Sequence, residues 1–192
     1  MSPSTRRDLN QHGKPVRYAM TMDMKRCVAC HACVIACKTE NALPNGSFRD
    51  WIVQETRGVF PTLSQENRSE RCNHCEHPPC VDCCPTGASH VNEGGTVIVT
   101  HKRCTGCKAC VASCPYEARY IHEDGYADKC TFCLHRVQQG QQTACVSVCP
   151  TRALVFGDIN DPDSDIAKLL ASRRHKVLKP ETGLDPHLFF LD

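Results

Sequence analysis

Four times in 192 residues the chain gathers four cysteines into one short stretch. The runs are Cys27, Cys30, Cys33 and Cys37; Cys72, Cys75, Cys80 and Cys84; Cys104, Cys107, Cys110 and Cys114; and Cys130, Cys133, Cys145 and Cys149. Three ligands spaced every third residue can turn their thiolates toward one point, and a fourth must then arrive from elsewhere. This demand constrains the fold more than any hydrophobic pattern in the chain. Disulfides suit the number of cysteines but not their grouping, because each run is too local to bridge distant segments. Four-ligand zinc sites arrive as two separated Cys-x2-Cys knuckles, whereas ligands at 27, 30 and 33 would make the knuckles share members. Iron–sulfur clusters fit the spacing best.

The run CTGCKACVASCP, residues 104–115, carries the bacterial ferredoxin spacing, in which the fourth cysteine serves the neighbouring cluster of a pair. Repetition extends past the cysteines. MKRCVACHAC precedes HKRCTGCKAC as a near copy, and CPTGA, CPYEA and CPTRA follow the last cysteines of runs two, three and four. Proline there stops the preceding helical turn.

Composition supports a chain completed by metal. Leu, Ile, Val and Phe are scarce and glycine and proline frequent, so cluster binding is expected to supply part of the folding free energy. The formal charge of +2 changes on loading. Each oxidised 4Fe–4S site with its thiolates carries about −2, which takes four sites to a net of about −6 and argues against nucleic acid as a partner. No apolar stretch approaches the roughly 20 residues of a membrane span. MSPSTRRDL has the paired arginines of an export signal but no apolar region after them, so residues 1–15 are expected to form a disordered or docking arm.

Between the cysteines the expected elements are short. VIACKTEN (34–41) and VASC (111–114) read as helical turns, and 89–100 as a hairpin about Glu93-Gly94-Gly95. Residues 119–127 repeat that hairpin about Asp124-Gly125, and 153–158 add a strand. FRDWIVQET supplies a strand with Trp51 in a packing role, followed by RGVFPTLSQENRSER as a crossing loop. The eleven residues between Cys133 and Cys145 read as a surface excursion that touches a partner. DSDIAKLLASRRHKVL reads as a capped helix with basic residues late, and KPETGLDPHLFFLD as an extended tail that docks on another subunit. Cys83, the seventeenth cysteine, reads as a small buried or half-exposed thiol, while His74 and His77 are placed to tune a cluster or meet a partner.

At these sixteen cysteines the chain resembles the four-cluster iron–sulfur subunits of membrane-bound molybdopterin oxidoreductases of the dimethyl sulfoxide reductase superfamily. The likeness covers about residues 16–160, and CNHCEHPPCVDCCPTGA with Pro78 and Pro79 carries it most specifically. Length, spacing and the ending look most like the polysulfide and thiosulfate reductase subgroup. The resemblance implies an α+β fold of two ferredoxin-like units, the second inserted into the first. The first, discontinuous unit would span 16–70 plus 127–160 and the inserted unit 71–126, with an arm at 1–15 and a helix and docking tail at 161–192.

It also implies four 4Fe–4S clusters and their ligands. Cys27, Cys30, Cys33 and Cys149 would hold cluster 1, and Cys130, Cys133, Cys145 and Cys37 cluster 2. Cys72, Cys75, Cys80 and Cys114 would hold cluster 3. Cys104, Cys107, Cys110 and Cys84 would hold cluster 4, nearest the quinone site. The implied partners are a molybdopterin catalytic subunit and an integral-membrane quinone-binding subunit. The implied position is peripheral on the periplasmic face, reached by export with a signal-bearing partner, although the chain's own sequence favours the cytoplasmic face. No catalytic residue is expected, because the chain has neither a dinucleotide loop nor a phosphate loop. A polyferredoxin-type subunit of a hydrogenase or formate dehydrogenase is the alternative function.

Overall fold

The computed structural model describes residues 9–192; the expectation for the arm therefore lies outside the described residues over 1–8. The rest of the arm, Leu9 to Pro15, closes as a small bridge, and Asn10 bonds Asp158 at 2.8 Å. It lies on the chain's own surface.

The main sheet is built around β1 (Tyr18–Asp23), whose residues from Ala19 onward are buried. Its neighbours are antiparallel β8 (Leu154–Asp158) on one side and parallel β10 (Leu188–Leu191) on the other, with β9 (His175–Lys176) beyond β10. The C-terminal tail therefore packs back onto the chain rather than extending to another subunit. Leu188 and Phe190 are fully buried, so β1 offers the backbone partners and the apolar cover that the tail needs.

The helix preceding this tail is shorter than its periodicity suggests. α6 (Asp165–Ser172) is capped by Ser164, whose hydroxyl accepts from the Ala167 N–H, and Ile166 packs over Gly157 of β8. Its basic continuation turns into β9.

A second correction concerns residues 57–71. β2 (Asp50–Arg57) and β3 (Ser64–Arg71) pair in eight-residue antiparallel register, so the expected crossing loop is the second arm of a hairpin. SQENRSER has poor strand propensity, but β3 pairs with β2 along its whole length. Arg68 then spans Glu55, Glu66 and Glu70 across one face of the hairpin.

The expected small hairpins form as β4 (Ser89–Val91) with β5 (Val97–Val99), and β6 (Tyr120–Ile121) with β7 (Ala127–Asp128). α1 (Ala32–Glu40) is a true short helix. α2 (Pro79–Asp82), α3 (Ala109–Ala112), α4 (Leu134–Val137) and α5 (Ala144–Ser147) are single turns, too short to persist alone. The excursion before Cys145 holds α4 and an exposed Gly140–Gln142 loop, and Arg136 anchors it to Gln142 and to Glu40 of α1.

Two apolar cores result. The larger joins Met20, Met22, Phe132, Leu154, Phe156, Leu188 and Phe190 to Cys33, Cys72, Cys130 and Cys145, with Trp51 packed at its edge. The smaller has only Cys80, Val97, Cys110 and Ala127 as buried members. Arg49 ties the two halves of the chain together, with Nε 2.8 Å and Nη2 2.7 Å from the buried Asp128 carboxylate. Arg49→Met leaves that carboxylate without its ion-pair partner, at a cost of about 3–5 kcal/mol. The holoprotein should then melt roughly 10 °C lower in a thermal scan.

Candidate iron–sulfur sites

The first Cys-x2-Cys loop of each run turns on the same backbone device. Its third residue is left-handed: Ala29 (φ 53°), His74 (φ 44°), Gly106 (φ 67°) and Phe132 (φ 52°). Three of the four are not glycine, and such a conformation costs a side chain roughly 1–2 kcal/mol. Strain repeated at one position of four loops marks a functional geometry. Gly106 has an added reason. A Cβ there would meet the Gly125 carbonyl oxygen at 2.3 Å.

The proline motifs repeat a second device. Gly87, Glu117 and Arg152, each three residues after a run's last cysteine, are all left-handed. Next to them the backbone turns its N–H groups to sulfur: Ala153 reaches Cys149 at 3.2 Å and Ser89 reaches Cys84 at 3.4 Å. In the third and fourth runs the first cysteine is treated alike, with Ala127 N–H 3.3 Å from Cys104 and Phe132 N–H 3.4 Å from Cys130. Such bonds favour thiolate over thiol.

Tertiary folding then brings the runs together. Cys27, Cys30, Cys33 and Cys149 line one cavity, and Cys72, Cys75, Cys80 and Cys114 line another. Cys37, Cys130, Cys133 and Cys145 are all buried, and Cys37 is an electrostatic neighbour of Cys130 and Cys145. Cys104 and Cys110 neighbour each other, Cys107 is exposed and Cys84 is half-buried. Cys83 lies near Cys110, its sulfur 3.3 Å from the Ser113 hydroxyl.

The four-cysteine lining of the two cavities fits an iron–sulfur cluster, whose ligands are thiolates. A tetrahedral zinc site with bonds of about 2.3 Å holds its sulfurs within roughly 4 Å of each other. Among the described residues, ligand atoms converge within 4.8 Å only at His12, Asp161 and Asp163, not at any cysteine set.

Burial pushes the Cys33, Cys75 and Cys130 thiols up to about 12 and Cys80 to about 11, with Cys37 higher still. These groups stay protonated unless a metal takes the proton's place, so loading them releases protons. Cys84 differs: although burial opposes ionisation, hydrogen bonds from Ser89 and Thr86 bring its thiol below the ordinary value.

Sequence reasoning missed the buried cations. Arg71 and Lys129 are 1% exposed and Arg119 5%. Arg71 donates to Cys145 Sγ at 2.9 Å, and Arg119 to Cys80 Sγ at 2.9 Å. Lys129 Nζ bonds the Val97 and Cys130 carbonyls. A signal was present. Every run follows a basic residue: Arg26, Arg71, Arg103 and Lys129. Arg71 and Lys129 are the buried ones, and their charge suits anionic sites. Of the two histidines, His74 is fully buried, stacks 3.8 Å from Phe132 and accepts the Val97 N–H, whereas His77 is exposed beside Asp185.

Residues 64–159 match the family model described as a 4Fe-4S dicluster domain. The chain is 47% identical over 180 residues to a tetrathionate reductase subunit of Salmonella typhimurium, a match that covers 91% of this chain and 72% of the relative. The chain belongs to this family of iron–sulfur subunits. Another member, from the polysulfide reductase of Wolinella succinogenes, is 44% identical over 91% of this chain and 94% of its own length. Protein NrfC of Escherichia coli is 43% identical over 94% of this chain and 82% of its own length. The α+β fold of small sheets and helical turns is that of tandem ferredoxin-like units. No helix among the described residues is long and apolar enough to cross a membrane.

Proposed function

We propose that the chain is the electron-transfer subunit of a membrane-bound molybdopterin oxidoreductase and holds four 4Fe–4S clusters on the sixteen cysteines in the pairing given above. The observation that carries this reading is the pair of cavities, each ringed by three cysteines of one run and the last cysteine of another. Bound there, clusters would supply one-electron centres.

The protein's part is to space, shield and charge-balance these centres. The discontinuous unit (16–70 plus 127–160) contains clusters 1 and 2, and the inserted unit (71–126) clusters 3 and 4. Burial of the cysteines supports a linear order for them. The inner sets include Cys37, Cys130, Cys133 and Cys145, all buried, with Cys72 and Cys80; the outer sets each include one exposed cysteine, Cys30 or Cys107. Exposed Val28 and Ile35 beside Cys30, with Val148, give that end an apolar face for the catalytic subunit. The Cys107 end faces the quinone-binding membrane subunit. The names of the relatives, tetrathionate and polysulfide reductase components, point to anaerobic respiration on a sulfur compound. The complex sits on the periplasmic face, carried there with a signal-bearing partner.

Anaerobically purified protein is expected to contain about sixteen iron and sixteen sulfide atoms per chain, four of each per cluster. Stoichiometric zinc with little sulfide would overturn the reading. Co-purification with a hydrogenase subunit instead of a pterin subunit would favour the polyferredoxin alternative.

A further inference from the structure

Two buried arginines hold matching positions, one toward each pair of sites. Each donates to the third cysteine of a run, Arg71 to Cys145 and Arg119 to Cys80, at 2.9 Å in both cases. Each also reaches a second set through a serine, and Arg119 in addition hydrogen-bonds Cys110 of that set directly. Arg71 bonds Ser69, whose Oγ stands 3.7 Å from Cys33 Sγ. Arg119 bonds Ser89 Oγ at 2.9 Å, and the Ser89 N–H reaches Cys84 Sγ at 3.4 Å. Every site of the wire is therefore touched by one arginine or by its serine.

The match breaks at one residue. Arg71 Nη2 lies 3.1 Å from the carboxylate of Asp50, a fully enclosed ion pair. Asp50 faces Arg71 across the β2–β3 register, which places the pair directly. Among the described residues no carboxylate forms an ion pair with Arg119. Its Nε and Nη1 atoms are buried without a partner, as is Nε of Arg71. Buried guanidinium N–H groups require an acceptor, and the electron-rich sulfur of a bound cluster is the acceptor these donors suit.

Reducing a cluster adds one negative charge, and that electron comes from the neighbouring site, whose oxidation balances it. A permanent guanidinium charge nearby favours the reduced form, and a carboxylate in contact with the guanidinium cancels most of that effect. We propose that Arg71 and Arg119 are potential-setting residues. Asp50, present against the first and absent against the second, makes the Cys72–Cys75–Cys80–Cys114 site the more readily reduced of the two inner sites. This inference rests on the cluster assignment above and adds an order of potentials to it.

The test is a redox titration of the anaerobic holoprotein, followed by electron paramagnetic resonance after iron and sulfide have been counted. A low count would defeat the cluster assignment itself, before any potential is read. With the count correct, Arg119→Gln should make one inner site harder to reduce by at least about tenfold, equivalent to about 59 mV for one electron. Arg119→Lys, which keeps the charge, should restore most of that loss. Asp50→Asn should move the other inner site the opposite way, toward easier reduction. If Arg119→Gln fails to hold its cluster, the sign of the Asp50→Asn shift decides. Unchanged potentials in the variants, a downward shift in Asp50→Asn, or a wild-type order with the Arg71 site higher would each overturn the proposal.

Discussion

Cys107→Ser is expected to convert one cluster to a three-iron form and to block electron uptake at that end of the wire. The remaining thiolates of the proposed set, Cys104, Cys110 and Cys84, can still hold three irons. A serine hydroxyl is a harder, poorer ligand than thiolate, so the fourth iron is lost. Cys107 is exposed, and its replacement disturbs no packing. Loss of an iron raises the potential of the site, which then traps the electron it should pass on. Quinol-linked turnover should fall at least about tenfold, the loss seen when even a hydrogen-bonding partner of a metal ligand is removed. A small artificial donor that reduces the catalytic subunit directly should still support turnover. Electron paramagnetic resonance should show one three-iron signal beside three intact clusters. Full quinol-linked turnover with four intact clusters would show that Cys107 is not a ligand.

Removing the iron should unfold residues 71–126 before it unfolds the main sheet. Of the buried members that this segment gives to its small core, Cys80 and Cys110 are cysteines and Val97 is the apolar side chain, with Val81, Val111 and Ile121 partly buried around them and Ala127 packed on from the other unit. Its helices are single turns and its hairpins two or three residues per strand. In zinc-finger peptides one structural metal ion is worth about 10–16 kcal/mol of folding free energy, and a metal term on that scale is far more than such packing can replace. The sheet of β1, β8 and β10 has its own apolar core in Met20, Met22, Phe156, Leu188 and Phe190. After chelation under reducing conditions, hydrogen exchange should therefore lose protection first at Val97 and Val99, and later at Met20 and Phe190. Equal protection with and without iron across 71–126 would contradict this.

β3 shows where local reasoning stops. Ser64–Arg71 contains no large apolar residue, so nothing in its own pattern reads as a strand. It forms because β2 precedes it and its backbone pairs in register. β10 is the converse case: LFFL is visibly apolar, but which surface would cover it depended on whether β1 had a free edge. The arginines lay beyond reach for a related reason. Arg71 is a plain basic residue before a cysteine, and its meaning comes from Asp50, twenty-one positions earlier and opposite it in the hairpin.

By itself the sequence determined the chemistry of the chain. Ligand type, grouping in four runs and the proline motifs are local features, and a thiol three residues from another carries its constraint within one loop. The tertiary structure decided what depends on distance between runs. It set the cysteines that share a cavity, the thiols left exposed at the two ends, and the burial of three cations between the sites. Burial and charge act through space, so only the folded backbone could place Arg71 beside Asp50 and leave Arg119 without a carboxylate partner among the described residues.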